Sequence, residues 1–152
     1  MSSPSERIRE ARERLGLEPS EVAAAAGLNY DAYFDVEHCD DEATSNISLD
    51  QLIVIGRLIG LTPLGILEGS GFPAPARRVS LAELAGRAAE RMAGEGMSAY
   101  EYGERVGWEM APVFTDPETI RTYTVDALRD ICREVGIDWH EAPPAALDEP
   151  TG

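Results

Sequence analysis

Apolar residues recur at intervals of three and four along most of the chain, and this spacing predicts amphipathic α-helices. In the first predicted helix, Ile8, Ala11 and Leu15 share one face. Ser3, three residues before Glu6, has the pattern of a helix cap, and glycines follow several of the predicted helix ends. The first half of the chain is predicted to contain helices over 4–15, 19–26, 30–37, 49–59 and 63–67, with a polar loop over 38–46.

The same helical pattern returns in the second half, after a segment rich in glycine and proline. A shift of 80 positions places Gly107 on Gly27 and Trp108 on Leu28, and a shift of 76 aligns the later helices. Agreement of small, apolar and glycine positions in order favours duplication over coincidence. We therefore predict an all-α protein of two tandem five-helix units, the second degenerate, forming an internal pseudo-dimer. The predicted organisation is a first unit over 3–68, a linker over 69–79, a second unit over 80–141 and a flexible tail over 142–152.

The order of helices and turns in the first unit is that of a helix-turn-helix domain. Five segments make the pattern more specific: Val22-Ala23, Gly27-Leu28-Asn29, Val36-Glu37, Leu49 to Leu61 and Pro63-Leu64. With these segments the unit resembles the lambda repressor and Cro-like family, also called the XRE family. The resemblance implies that the second helix braces a DNA backbone, that the third lies in the major groove, and that paired copies read half-sites to regulate transcription.

Several positions depart from the family pattern. Glu18 stands where a small hydroxyl cap is usual, Pro19 where a contacting glutamine is common, Phe34 where a serine is usual and Cys39 where a glycine is. In the second copy, Pro112 lies inside the predicted third helix and should shorten or kink it. These departures affect the helices that would contact DNA, so the resemblance supports the fold more strongly than it supports the function.

The charge of the chain opposes nucleic-acid binding. It has 13 basic residues, all arginine, against 28 acidic ones, for a net charge of −15. DNA binders neutralise phosphates with lysine and arginine, through roughly 6 to 10 contacts. Arginine and lysine are absent between Arg14 and Arg57, a span that holds nine carboxylates: Glu18, Glu21, Asp31, Asp35, Glu37, Asp40, Asp41, Glu42 and Asp50.

Aromatic residues lie among these carboxylates, and we expect at most one or two of them to face the core. Exposed rings beside acidic groups suit a protein interface, in which rings fill pockets and charge speeds encounter with a basic partner. Alternatively, the carboxylates only solvate a helix and a loop, and the rings belong to the core. The predicted partner-binding residues are Tyr30, Asp31, Tyr33, Phe34, Asp35, Glu37, Asp40, Asp41 and Glu42.

These features predict an acidic, non-catalytic protein-binding module on a helix-turn-helix scaffold. Its expected role is that of an immunity protein or antitoxin that inhibits a basic toxin enzyme or a nucleic-acid-binding protein. The alternative is an XRE-family transcriptional regulator that contacts DNA through the arginines of its first helix, through Arg105 or through a dimer. A third interpretation is a duplicated domain that assembles only with itself, as a homodimer.

Other functions lack sequence support. No carboxylate pair is accompanied by a nucleophile, a histidine partner or a glycine-rich phosphate loop, so we expect no enzyme and no cofactor. Cys39, Cys132, His38 and His140 lack the spacing of a zinc site, so no metal is expected. No apolar run reaches the length of about 18 residues that a membrane helix needs, and the N-terminus lacks a signal pattern, so we expect a cytoplasmic protein. The acidity could also be partly a salt adaptation.

Overall fold

The computed structural model describes residues 2–69, 71–73, 75 and 77–142 and contains ten α-helices and one 3-10 helix within them. The predicted all-α class is confirmed. The chain divides into two compact units, Met1–Ala74 and Pro75–Gly152. The tandem duplication and the internal pseudo-dimer stay predictions.

Unit 1 contains the five helices that the apolar spacing predicts, and a sixth that it does not. The predicted polar loop over 38–46 is wrong in part, because α3 extends to His38 and a one-turn helix follows it. That short helix forms because Ala43 is an apolar anchor that is buried against the unit. The helices are α1 (Pro4–Arg14), α2 (Pro19–Ala25), α3 (Tyr30–His38), α4 (Glu42–Ser45), α5 (Leu49–Ile59) and α6 (Pro63–Glu68).

The core of unit 1 is built from the apolar stripes of α1, α5 and α6. Ile8, Leu52 and Ile66 are fully buried, and removing such side chains from water is the main stabilising contribution to a small domain. The start of α5 is fixed by a reciprocal cap, in which the hydroxyl of Ser48 accepts the backbone N–H of Gln51 and the Gln51 side chain accepts the N–H of Ser48. These contacts hold the scaffold on which α2 and α3 lie.

A tight turn joins α2 to α3. Gly27 adopts a left-handed conformation with φ of 71°, which a residue with a side chain rarely adopts, and the N–H of Leu28 donates to the carbonyl of Ala23 at 2.9 Å. The side chain of Asn29 then caps α3 by accepting the N–H of Ala32 at 2.7 Å. The short helix, glycine turn and capped third helix form a helix-turn-helix, as the sequence predicts.

Unit 2 has a similar order of elements with a shorter third helix. Pro112 lies in the first turn of α9, where proline is tolerated, so it does not shorten the helix in the way predicted. The helix has only five residues because it ends at Thr115, before the extended Asp116 that precedes Pro117. The turn before α9 again contains a left-handed glycine, Gly107, and the N–H of Trp108 donates to the carbonyl of Gly103. The elements are α7 (Leu81–Gly94), α8 (Ala99–Val106), α9 (Ala111–Thr115), the 3-10 helix Pro117–Thr122 and α10 (Val125–Val135).

Unit 2 has its own buried core, to which Leu84, Tyr102, Leu128 and Ile131 contribute. The predicted flexible tail lies outside the described residues except for Ala142, which is buried. Three residues of the predicted linker, at positions 70, 74 and 76, also lie outside them. Among the helices of the described chain, none is both long enough and apolar enough to span a bilayer.

Candidate functional site

Helix α3 divides its side chains between the core and the solvent. Tyr33, Val36 and Glu37 are buried, whereas Tyr30 and Phe34 are exposed by 53% and 45%. Residues four apart lie on the same face of a helix. The exposed face is therefore the one that begins at Tyr30, and the face that begins at Tyr33 belongs to the interior.

The exposed face holds three neighbouring rings, two of which stack. The ring centroids of Tyr30 and Phe34 lie 6.4 Å apart, and those of Phe34 and His38 lie 4.0 Å apart with the ring planes only 15° from parallel. The Nδ1 atom of His38 is 2.8 Å from the carbonyl oxygen of Phe34, one turn earlier, which fixes the imidazole on the ring. The three side chains thus form a continuous aromatic strip along the solvent side of α3.

Two predicted partner-binding residues, Tyr33 and Glu37, are corrected by the structure. Tyr33 is fully buried and Glu37 is only 2% exposed, so neither can contact a partner. Glu37 forms a two-pronged ion pair with Arg12 of α1, with N–O distances of 2.6 and 3.0 Å, and this bond raises the pKa of the guanidinium. Burial raises the pKa of Tyr33 as well. Both side chains therefore join α3 to the rest of unit 1.

The other predicted carboxylates remain at the surface. Asp40 accepts the hydroxyl of Ser5 at 2.9 Å, and hydrogen bonds from Ser5 and Ser3 lower the pKa of Asp40. Local desolvation, followed by the carboxylates of Asp35 and Glu42, raises the pKa of the exposed Cys39 thiol. Asp31, Asp35, Asp40 and Asp41 are exposed, and Glu42 is half-buried.

We call Tyr30, Asp31, Phe34, Asp35 and His38 together the α3 surface. Phe34 contacts Tyr30 at a tilt and stacks on His38, and the two aspartates are exposed beside these rings. Asp40, Asp41 and Glu42 follow in the chain. The sequence prediction missed His38, although its position four residues after Phe34 was the signal that could have found it.

The arginines of α1 are used by the fold. Arg7 donates to the carbonyls of Ile66 and Leu67 at 2.7 and 2.9 Å, and Arg9 donates to the carbonyl of Glu37 at 3.2 Å. Arg12 is held by the buried ion pair described above. Three of the cations that the DNA-binding alternative requires are therefore engaged in contacts within unit 1.

Arg105 is the cation that this alternative requires in unit 2, and it is engaged as well. Its guanidinium contacts the carboxylates of Glu95 and Glu134, and these bonds raise its pKa. The helices α2, α3 and α4 contain no arginine or lysine. The cations named for DNA contact on α1 and α8 are thus engaged within their own units, apart from Arg14 at the end of α1, which is exposed.

Acidic and sulfur-containing side chains do not gather into a metal centre in the described part of the chain, where no group of three or more potential ligands was found. Both cysteines are reduced: Cys39 is exposed and Cys132 is buried. Burial raises the pKa of Cys132 to about 12, so this thiol is a packing group.

Similarity to known proteins is found among solved structures. No family model matches the chain, and no curated protein matches it either. Among solved structures, the chain is similar to the P22 c2 repressor protein, whose crystal structure was determined in complex with the synthetic operator 9T in the presence of Tl+. The identity is 20%, the TM-score is 0.40, and the match covers 46% of this chain and 100% of the repressor chain.

Proposed function

We propose that this chain is a non-catalytic protein-binding module and that the α3 surface of unit 1 contacts a basic protein. The observation that supports this most directly is the exposed aromatic strip of Tyr30, Phe34 and His38 with Asp31 and Asp35 beside it. Exposed apolar groups in a contiguous strip mark interaction sites more often than isolated ones do. Rings of this kind supply buried contact area, and carboxylates around them favour a cationic partner.

Electrostatics opposes the use of this surface on DNA. Glu37 is neutralised by Arg12, but α3 itself contains no arginine or lysine, so Asp31 and Asp35 remain without a cation on their own helix. DNA presents one negative charge per about 1.7 Å of its axis. Bringing these carboxylates to such a backbone would be repulsive, and the repulsion would grow as the salt concentration falls.

The more specific proposal is an immunity protein or antitoxin. Such a protein covers a basic active site or a nucleic-acid-binding face of a toxin or of a DNA-binding protein. A net charge of −15 would speed association with a basic target. Aromatic side chains buried in the complex would then slow its dissociation, and most differences in affinity between related complexes lie in the dissociation rate. The second unit, in this proposal, is a degenerate tandem copy of the same scaffold, and the protein acts in the cytoplasm.

The test is recovery of a partner from extracts of the source organism by affinity capture, followed by measurement of the affinity of the purified pair. The double substitution Tyr30→Ala/Phe34→Ala should weaken the complex at least tenfold. Its matched control, Leu15→Ala/Leu58→Ala, truncates two apolar side chains that are also exposed and should leave the affinity unchanged.

A second pair of variants separates charge from apolar contact. Asp31→Asn/Asp35→Asn should slow association and reduce its salt dependence, because both carboxylates belong to the α3 surface. Glu10→Gln/Glu13→Gln removes the same charge from the exposed side of α1 and should have a much smaller effect. If both pairs act equally, the partner responds to net charge, and the α3 surface is not its contact.

The second candidate function is a DNA-binding transcriptional regulator. The intact turn at Gly27 and the capped start of α3 at Asn29 favour it, because this is the geometry with which a recognition helix enters a major groove. Against it, the oxygen of the Asn29 side chain is already used as the cap. Tight, steeply salt-dependent binding of a duplex would favour this candidate over the protein-binding module.

A further inference from the structure

A groove of about 470 Å³ runs along the surface of unit 2, where α8 meets the turn before α9. The residues that line it include Tyr100, Trp108, Met110, Glu104 and Glu109. None of these residues takes part in the α3 surface. The groove therefore requires an explanation that the proposed function does not supply.

The floor of the groove exists because Gly103 has no side chain. A Cβ atom at this position would lie 2.8 Å from the carbonyl oxygen of Trp108 and 3.4 Å from the nitrogen of Met110. The helix and the turn can consequently approach one another closely, and the turn is completed by Gly107 with φ of 93°. This close approach aligns Tyr100 and Trp108 along one depression.

The aromatic wall of the groove is held in place from behind. The indole N–H of Trp108 donates to Asp130 of α10 at 2.9 Å, and its ring stacks on Tyr123 with centroids 6.2 Å apart. The hydroxyl of Tyr123 in turn donates to the carbonyl of Glu109. A wall whose rotamers are already fixed loses little conformational entropy when a ligand binds to it.

The rim of the groove is acidic. Glu104 and Glu109 both line the groove and are exposed. A hydrogen bond with Glu104 raises the pKa of Tyr100. Arg105, the one cation of α8, is directed to Glu95 and Glu134 instead. The opening thus combines apolar rings with two carboxylates that have no arginine partner among the described residues.

We propose that this groove binds a basic peptide segment of a partner protein, in which an apolar side chain fills the space beside Trp108 and flanking arginines meet Glu104 and Glu109. Charge complementarity supports a cationic occupant. The two carboxylates lie on different parts of the rim, Glu104 on α8 and Glu109 in the turn before α9, and this favours a chain with more than one cation over a single small cation. The groove is also open along the surface, whereas small-ligand pockets usually bury about 70–90% of their ligand.

The probe is a synthetic pentapeptide in which arginines alternate with leucine and phenylalanine. The full chain with Trp139→Phe leaves Trp108 as its single tryptophan, so peptide binding is followed by the emission of Trp108 and, in parallel, by calorimetry. We expect saturable binding in the micromolar range. A peptide of the same charge with glycine in place of leucine and phenylalanine should bind at least tenfold more weakly.

Matched variants show whether the groove is the site. Glu104→Gln/Glu109→Gln should weaken binding of the pentapeptide at least tenfold. Tyr100→Ala should also weaken this binding, and it should leave the chain folded because Tyr100 is 76% exposed. Glu90→Gln/Glu118→Gln removes the same charge from exposed positions of unit 2 outside the groove and should change the affinity less than twofold.

Three results would overturn the proposal. Equal loss of affinity in both double variants would mean that the peptide responds only to net charge. No binding of the pentapeptide, together with saturable binding of benzyltrimethylammonium, would assign the groove to a small organic cation. Absence of binding by either probe would leave the groove as a packing feature of the α8 turn.

Discussion

Replacing Glu37 by glutamine tests the assignment of this residue to the fold. The substitution keeps the shape of the side chain but removes the carboxylate that pairs with Arg12 at 2.6 Å, while the contact of Arg12 with Glu13 at 3.8 Å remains. Glu37 is 2% exposed and Arg12 is 11% exposed, so water cannot readily replace the lost partner. Breaking a buried ion pair by removal of one member costs about 3–5 kcal/mol. Because the amide oxygen of glutamine can still accept one hydrogen bond, we expect a loss of about 3 kcal/mol in the free energy of unfolding.

The assay is urea unfolding of the full chain, followed by far-UV circular dichroism. With a urea dependence of about 1.5 kcal/mol/M, a loss of this size lowers the midpoint of unit 1 by about 2 M. Native-state hydrogen exchange of the α1 and α3 amides then assigns the loss to the unit that contains the ion pair. The matched control is Asp35→Asn, an exposed carboxylate on the same helix, which should change stability by less than about 0.5 kcal/mol.

The double substitution Arg12→Met/Glu37→Leu removes both charges and should recover most of the lost stability, since apolar pairs often replace buried ion pairs at little cost. The reasoning is refuted if Glu37→Gln behaves like Asp35→Asn. Such a result would mean that Glu37 is solvated, and it would return this residue to the set of partner-binding candidates.

Two further predictions concern unit 2 and the thiols. Gly103→Ala should destabilise the chain by about 1–3 kcal/mol, because its methyl group would meet the backbone of Trp108. Gly86 lies in open space on α7, so Gly86→Ala should stabilise the chain by roughly 0.5–1 kcal/mol. Thermal unfolding measures both changes. A thiol reagent at pH 8 should modify Cys39 and spare buried Cys132 until the chain unfolds. Burial raises the pKa of the Cys132 thiol from 9.0 to about 12. The free energy of unfolding should therefore keep its full value below pH 9 and fall between pH 9 and 12, and the fall should be less steep in Cys132→Ala. A free energy of unfolding that does not change over this range would contradict the burial of this thiol.

The helices of unit 1 could be predicted well because their sequence signals are local. The apolar stripe of α5 and its cap at Ser48 determine that helix with little help from the rest of the chain. The same is true of the turn at Gly27, where a left-handed residue is required. Helix α4 was missed because four residues contain too little periodicity, and only the burial of Ala43 reveals the reason for the helix.

The site was harder to predict because charge type does not reveal which face is buried. Carboxylates are rarely found in a core, so Glu37 was grouped with its exposed neighbours. Its inward position follows from sharing a face with Tyr33 and Val36, and its tolerance of burial depends on Arg12, 25 residues earlier. A pairing over that distance leaves no local signal. Conversely, the exposed positions of Tyr30 and Phe34 follow directly from that same inner face.

The unit 2 groove could not be foreseen from the sequence at all. The alignment of Trp108 with the apolar Leu28 favours a packed position over a place along a surface groove. The structure places its ring, half-buried, along a surface groove and ties its N–H to Asp130. This arrangement depends on the absence of a side chain at Gly103, whose effect appears only when the helix and turn are brought together.

The central claim is that this helix-turn-helix scaffold carries a negatively charged surface, which nucleic acid repels, and that it therefore binds a different kind of partner. It is tested most directly by fluorescence anisotropy of a labelled random-sequence duplex titrated with the full chain at low ionic strength, where attraction between a protein and phosphates is strongest. The account predicts no rise in anisotropy at protein concentrations up to the high micromolar range. Tight binding that weakens steeply as salt is added would contradict it.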